Sequence, residues 1–230
     1  RHAEANAMLD EARAIEQPQW PPRLRQQLAS RAGCVAGFAA DVASYRSEAQ
    51  RALALAQAAG DARGALRHRL CLVDAAQMAG DDAQAITLGH EVVAQLGELE
   101  APSLLATALL NLCAAQLRSG DDAGARRSAA RSLALAWPYE QAGFLIDHVV
   151  LLAARQGQVE AAAQLAAWSD VWYPAHDHQR ETNEARALGE AEAIARAALG
   201  AEAWARAQAQ GAALDDAAAL ALARSVTGAS

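Results

Sequence analysis

Two histidines, His176 and His178, flank Asp177 directly after an aromatic segment of the chain. Imidazole and carboxylate groups this close could hold a metal ion or anchor a ligand. The rings before them are Trp168, Trp172 and Tyr173, followed by Pro174. A structural zinc takes four protein ligands and only this pair is evident, so we predict no metal site. Segment 168–178 is instead a candidate small-molecule pocket; the alternative is a polar connection beneath packed aromatic rings.

Asp147 beside His148 is the other pair that could transfer protons. Adjacent residues on a helix point about 100° apart and do not face each other, so the pair is poorly placed for acid–base catalysis. The chain also has no lysine, and therefore no Gly-Lys-Ser/Thr phosphate loop. It lacks CxxC, Gly-x-Ser-x-Gly and His-Glu-x-x-His motifs. We predict that the chain is not an enzyme and has no catalytic residue and no cofactor.

The composition predicts a helical chain. Hydrophobic residues make up 53% of the 230 positions but aromatic residues only 4%, and alanine is the most abundant type. Alanine has the highest intrinsic helix propensity. No stretch alternates apolar and polar residues for long enough to indicate a strand.

Charge and cysteine usage restrict the partners. The net charge is −7 and all 20 basic residues are arginine, so we expect no direct contact with nucleic acid. No apolar run approaches the ~20 residues of a membrane span, so we expect no membrane contact. Cys34, Cys71 and Cys113 are widely spaced and lie in apolar stretches. We predict free, buried thiols and a cytoplasmic location.

Two markers recur along the chain. Gly80-Asp81-Asp82 reappears 40 residues later as Gly120-Asp121-Asp122, with weaker copies at Ala40-Asp41 and Gly157-Gln158. Pro102, Pro138 and Pro174 are 36 residues apart. A glycine can adopt the left-handed conformation that ends a helix, an aspartate caps the next one, and proline fits a helix start. The spacing predicts stacked helical hairpins.

The residues after each turn resemble the tetratricopeptide repeat. That family has a small residue five positions after the turn glycine, here Ala85, Ala125 and Ala162, and a later alanine–leucine pair, here Ala52-Leu53 and Ser132-Leu133. Tyr45 replaces the small residue in the first repeat, and the period exceeds the usual 34 residues. The resemblance implies an all-α, tetratricopeptide-like α-solenoid of antiparallel hairpins. HEAT or armadillo-like hairpins are the alternative fold.

We predict a single helical-repeat domain over residues 1–230. It contains a partial repeat at 1–20, hairpins at about 22–59, 62–98, 102–136 and 138–172, and capping helices at 177–226. The resemblance implies that first helices line a concave groove. Transferred to this sequence, the groove residues are Arg67, Leu70, Asp74, Gln77, Thr107, Leu110, Asn111, Ala114, Leu117, Phe144, Asp147, Leu151 and Arg155, with Gln27, Ser30, Cys34 and Gly37 from the first hairpin.

The segment from Arg196 to Leu222 carries a second resemblance. Leu199-Gly200, Trp204, Gly211 and Asp215 follow the order seen at the end of large bacterial ATP-dependent transcriptional regulators of the AAA/STAND type. The resemblance implies that the chain is the C-terminal part of such a protein. From the residues alone, Gly200 and Gly211 should end helices, Asp215 should begin the last one, and Trp204 should pack onto the stack.

Three functional hypotheses remain open. The first is a protein-interaction and regulatory module that binds a protein or peptide partner, including other domains of its parent protein. The second is a small-molecule sensor that uses segment 168–178. An enzyme is the third, and no constellation of residues supports it.

Overall fold

The computed structural model describes residues 2–136 and 142–228. The chain divides into two compact units, residues 1–100 and 101–230. The first unit contains α1 (His2–Ala14), α2 (Pro22–Phe38), α3 (Val42–Ala58), α4 (Ala62–Met78) and α5 (Asp82–Gly97). The second contains α6 (Pro102–Ser119), α7 (Asp122–Ala136), α8 (Ala142–Arg155), α9 (Val159–Ala175), α10 (Thr182–Ala212) and α11 (Asp216–Thr227). The described ranges contain no strand, which confirms the all-α fold class.

Short left-handed turns reverse the chain between successive helices. The turn residues with positive φ are Ala40 (56°), Gly60 (67°), Gly80 (77°), Gly120 (81°) and Gly157 (77°). In four turns the next residue is an aspartate whose carboxylate accepts a hydrogen bond from the backbone N–H three residues later. The pairs are Asp41–Ser44 at 3.1 Å, Asp61–Gly64 at 2.8 Å, Asp81–Gln84 at 3.0 Å and Asp121–Gly124 at 2.8 Å. The predicted turn chemistry is confirmed.

Proline marks fewer helix starts than the spacing predicted. Pro22 and Pro102 lie in the first turns of α2 and α6. The start of α4, however, is another Gly-Asp turn, Gly60-Asp61. Pro174 lies in the last turn of α9 and does not open α10, which begins at Thr182 after an irregular connection. Pro138 falls outside the described residues. Whether the hairpins form one domain, as the sequence predicts, stays a prediction.

The small-residue positions of the repeat are buried. Ala85 and Ala125 have no exposed surface, and Ala162 is almost fully buried. At the exception, Tyr45, a Cβ added to Gly33 or Gly37 would lie 3.6 or 3.8 Å from the ring, an ordinary van der Waals distance. The ring that α3 carries in place of alanine therefore packs against the face of α2 that contains these glycines.

The features of the C-terminal segment agree in part with those predicted from its glycine, tryptophan and aspartate residues. Gly200 (φ 74°) breaks the helical backbone inside α10, Trp204 is buried, and Asp215 caps α11 through the Ala218 N–H at 2.8 Å. Gly211 does not end a helix, because α10 continues to Ala212. A Cβ at Gly211 would lie 2.1 Å from the carbonyl oxygen of Gln164, so this glycine permits close contact with α9. α11 packs against α7, α8 and α9.

Alanine in the left-handed region carries a strain that glycine does not. We expect Ala40→Gly to raise the free energy of unfolding by about 0.5–1 kcal/mol, because relief of this strain outweighs the added entropy of the unfolded chain. Gly120→Ala, where no atom hinders the new methyl group, should lower it by about 1 kcal/mol. Thermal and urea unfolding would measure both; equal signs for the two variants would contradict the turn geometry.

Candidate functional site

The predicted groove residues differ widely in exposure. On α4, Arg67 is exposed and Asp74 is half-buried, but Leu70 and Gln77 are buried. On α6, the predicted residues Thr107, Leu110 and Asn111 are half-buried, whereas Ala114 and Leu117 are buried and cannot contact a partner. On α8, Phe144 and Arg155 are half-buried, whereas Asp147 and Leu151 are buried. Because Leu70, Gln77, Asp147 and Leu151 are buried, their side chains cannot contact a partner. The binding role of the accessible positions stays a prediction.

The first unit contains an open cleft of about 530 Å³ between helices α1, α2 and α4. Three of its lining residues, Gln27, Ser30 and Arg67, are first-helix positions that the sequence placed on the inner wall. Its apolar part includes Leu24, whose surface is 45% exposed. The complete lining is Ala12, Trp20, Leu24, Gln27, Leu28, Ser30, Arg31 and Arg67. This cleft is the candidate functional site.

In the second unit, α10 packs against α8 and α9 and covers the α8 side chains that were expected to face a partner. Asp147 of α8 has no exposed surface. Its carboxylate accepts hydrogen bonds from the Ser169 hydroxyl at 2.6 Å and from Arg180 Nε at 2.8 Å. Burial raises the pKa of Asp147, while Ser169 and Arg180 act in the opposite direction. The predicted groove residue Asp147 is therefore an internal structural group.

A second polar contact joins α8 to α10. His148 Nε2 lies 3.4 Å from Glu184 Oε1, and both side chains are buried. Burial raises the pKa of Glu184, but the neighbouring imidazole, together with backbone hydrogen bonds, outweighs this effect and the net shift is downward. The buried Tyr173 hydroxyl has no hydrogen-bond partner among the described residues. Burial, and then the carboxylates of Asp147 and Glu184, raise the pKa of Tyr173.

Arg155, the other charged groove position on α8, is also engaged. Its guanidinium donates to Glu190 of α10 at 2.7 Å, to Asp122 at 2.7 Å and to the carbonyl oxygen of Leu117 at 3.0 Å. These contacts occupy the N–H donors with which an arginine would otherwise bind a carboxylate of a partner. Sequence reasoning missed the partners of α8, which are Arg180 just before α10 and Glu184 and Glu190 on it, because they are 33 to 36 residues away along the chain.

The predicted small-molecule pocket is occupied by its own side chains. Trp168, Trp172 and Tyr173 are buried, and Phe144 lies edge-on to Trp172 at 5.5 Å between ring centroids. The exposed rings of His176 and His178 both stack on Trp172, with centroid separations of 4.4 Å and 5.8 Å. A packed aromatic cluster is what the alternative interpretation described. A ligand-binding role for segment 168–178 stays a prediction.

Several cleft residues were not singled out from the sequence. Leu24, Leu28 and Arg31 follow the spacing i, i+4 and i+7, which places them on one face of a helix. This pattern begins just after Trp20-Pro21-Pro22 and could have identified these residues from the sequence.

Two of the three thiols were predicted to be buried but are not, since Cys34 is exposed and Cys71 is half-buried. Cys113 is buried as predicted. An alanine-rich helix covers its neighbours less completely than a leucine-rich one would.

Within residues 2–136 and 142–228, no group of three or more His, Cys, Asp and Glu side chains is arranged to hold a metal ion. Nor does any helix there have the length and apolar character needed to cross a membrane.

Removal of Arg180 would leave the buried Asp147 carboxylate without its cation. We expect Arg180→Ala to lower the free energy of unfolding by about 3 kcal/mol near neutral pH. Because protonation removes the unpaired charge, and the pKa of Asp147 is already raised, this deficit should shrink as the pH falls from about 8 to about 5. Arg206→Ala, which breaks an exposed pair with Glu202, should cost about 0.5 kcal/mol or less at every pH. Urea unfolding across this pH range measures both; a pH-independent deficit in Arg180→Ala would contradict the assignment.

Gly143 makes room for the aromatic cluster. A Cβ there would lie 2.4 Å from three ring atoms of Trp172. We expect Gly143→Ala to displace the indole and to lower the free energy of unfolding by about 1–3 kcal/mol. Gly189→Ala is the matched control, because its added methyl group meets no atom within 4 Å and alanine favours the helix by up to about 1 kcal/mol. Thermal unfolding with near-ultraviolet circular dichroism would report both changes. Equal stability of the two variants would argue against this contact.

Comparison with known proteins identifies the fold but no family. No protein-family model and no curated protein matches the chain. Among solved structures, the chain is similar to a Rap protein in a crystal structure of its complex with competence and sporulation factor. The TM-score is 0.63 at 12% identity, and the match covers 99% of this chain and 70% of the Rap chain. At this identity the likeness shows the helical-repeat fold alone.

Proposed function

We propose that the chain is a non-catalytic protein-interaction and regulatory module that binds a segment of a partner protein in the cleft of the first unit. The observation that carries this proposal is the position of the cleft. It is open, and first-helix residues of two successive hairpins, Gln27 and Ser30 on α2 and Arg67 on α4, line it. Helical-repeat proteins use surfaces of this kind to hold extended or helical segments.

The solved structure with the same fold supports the proposal, since the Rap protein was crystallised in complex with a factor that it binds. The resemblance of the C-terminal segment to bacterial regulators supports a second part of the proposal, which concerns the parent protein. On that basis the chain is the sensor or scaffold part of a larger cytoplasmic signalling or transcriptional regulator, and other domains of that parent are among its candidate partners. The alternative, a small-molecule sensor at segment 168–178, gains no support from an aromatic cluster that fills its own interior.

Substitution of Leu24 tests the cleft. Peptides would be selected on the purified chain from a random phage-displayed library and their affinities measured by fluorescence anisotropy. Leu24→Asp should weaken the selected peptides at least about tenfold, because a charge replaces apolar contact surface. Leu99→Asp is the matched control: Leu99 is 39% exposed, close to the 45% of Leu24, and does not line the cleft. Failure to select any peptide, or an equal effect of the two substitutions, would contradict the proposal.

A further inference from the structure

Two of the three helices that form the cleft, α2 and α4, have a charge opposite to that of the whole chain, whereas α1 has the acidic residues Glu4, Asp10 and Glu11 and the basic Arg13. The chain carries 27 acidic and 20 basic residues. In contrast, α2 contains Arg23, Arg25 and Arg31 and no acidic residue. α4 contains Arg63, Arg67 and Arg69 and a single acidic residue, Asp74. These two helices thus form a basic wall in an acidic protein.

Two arginines of the cleft are free to bind. Among the described residues, Arg31 and Arg67 donate no hydrogen bond and form no salt bridge with another side chain, and both are exposed. This distinguishes them from Arg155 on α8, which is bound by Glu190 and Asp122. Guanidinium groups without an internal carboxylate can each supply charge-assisted hydrogen bonds to an external one.

Three carboxylates close to α2 and α4 in the sequence or the fold are already engaged. Glu16 is bound by Arg25 at 3.0 Å and also by Arg51. Asp61 accepts from the Gly64 N–H at 2.8 Å and from Gln26 at 3.2 Å, and these bonds hold its pKa below the ordinary value, with a smaller contribution from the nearby Arg67. On α4, Asp74 interacts with the half-buried Tyr45. The described lining of the cleft contains two arginines and no acidic residue, so none of these three carboxylates lines it.

The cleft also has an apolar component. Trp20, Leu24 and Leu28 line it beside the two arginines. Its volume of about 530 Å³ suits a short segment and not a folded domain. The complementary ligand combines apolar side chains with carboxylates.

We infer that the cleft selects an acidic peptide segment with apolar side chains, whose carboxylates pair with Arg31 and Arg67 while its apolar groups contact Trp20, Leu24 and Leu28. This inference rests on the proposed function and specifies the chemistry of the partner. A nucleic acid is the competing polyanion. It lacks aliphatic side chains for the leucines, and its backbone would extend from the cleft over an acidic protein.

The inference is tested by the charge of the selected peptides. The same random library would be selected in parallel on the wild-type chain, on the double variant Arg31→Glu/Arg67→Glu and on Arg127→Glu, a control at an exposed arginine of α7. Peptides enriched on the wild type and on the control should be net acidic and contain leucine or aromatic residues. Those enriched on the double variant should lose this acidic bias. A neutral or basic wild-type pool, or an unchanged bias in the double variant, would overturn the inference.

One enriched acidic peptide would then be measured directly by fluorescence anisotropy. Arg67→Glu should weaken it about tenfold or more, and Arg127→Glu should leave it within about twofold, since one charged hydrogen bond at a binding site contributes about 1.5–3 kcal/mol. The affinity should also fall as salt rises from about 0.05 to about 0.5 M. Tighter binding of a single-stranded DNA oligonucleotide than of the peptide would overturn the inference.

The two proposals fail in different ways. Peptide binding that depends on Leu24 but not on Arg31, Arg67 or salt leaves the interaction module standing and removes the acidic partner. Selection that yields no peptide removes both. Circular dichroism would check the fold of each variant. Because Arg31, Arg67 and Arg127 are solvent-exposed, we expect their substitution to leave the fold intact, so that a loss of affinity reports on binding.

Discussion

The reversal of the chain at each left-handed turn is the constraint on which the helical hairpins depend. An alanine-rich helix continues unless something stops it, since alanine favours the helix at every position. A residue with φ between 56° and 81° stops it at Ala40, Gly60, Gly80, Gly120 and Gly157. In four of these turns the following aspartate satisfies a backbone N–H of the next helix and so starts that helix within three residues. Short connections of this kind leave consecutive helices no arrangement but antiparallel packing.

Packing between alanine-rich helices is accomplished by close approach. At two places a glycine admits a neighbour that a Cβ would exclude: the Trp172 ring lies against Gly143, and the α9 backbone lies against Gly211. Since small residues bury little area each, large rings such as that of Trp172 supply apolar surface that alanine cannot.

First-helix arginines have opposite roles in the two units. Among the described residues, Arg67 on α4 is exposed and has no ion-pair partner, whereas Arg155 on α8 is bound to Glu190 and Asp122. The difference arises from α10, which packs on α8 and α9 and presents acidic side chains to the α8 wall. A first-helix arginine becomes a structural residue where a following helix brings a carboxylate, and a candidate binding residue where none does. The distinction between scaffold and site is thus a property of neighbours and not of residue type.

The sequence by itself determined the local structure: helices from alanine content, turns from Gly-Asp pairs, buried small positions such as Ala85 and Ala125, and the start of α11 at Asp215. These features depend on residues a few positions apart, whose interactions are fixed by helix geometry. Only the tertiary structure decided that Asp147 is buried and paired with Arg180, that the aromatic rings of segment 168–178 pack in one cluster, and that Trp20, Leu24 and Arg67 line one cleft. Those outcomes depend on contacts between different elements of the fold, such as Asp147 with Arg180 and Phe144 with Trp172, and the repeat pattern of one sequence does not specify which side chains such contacts will cover.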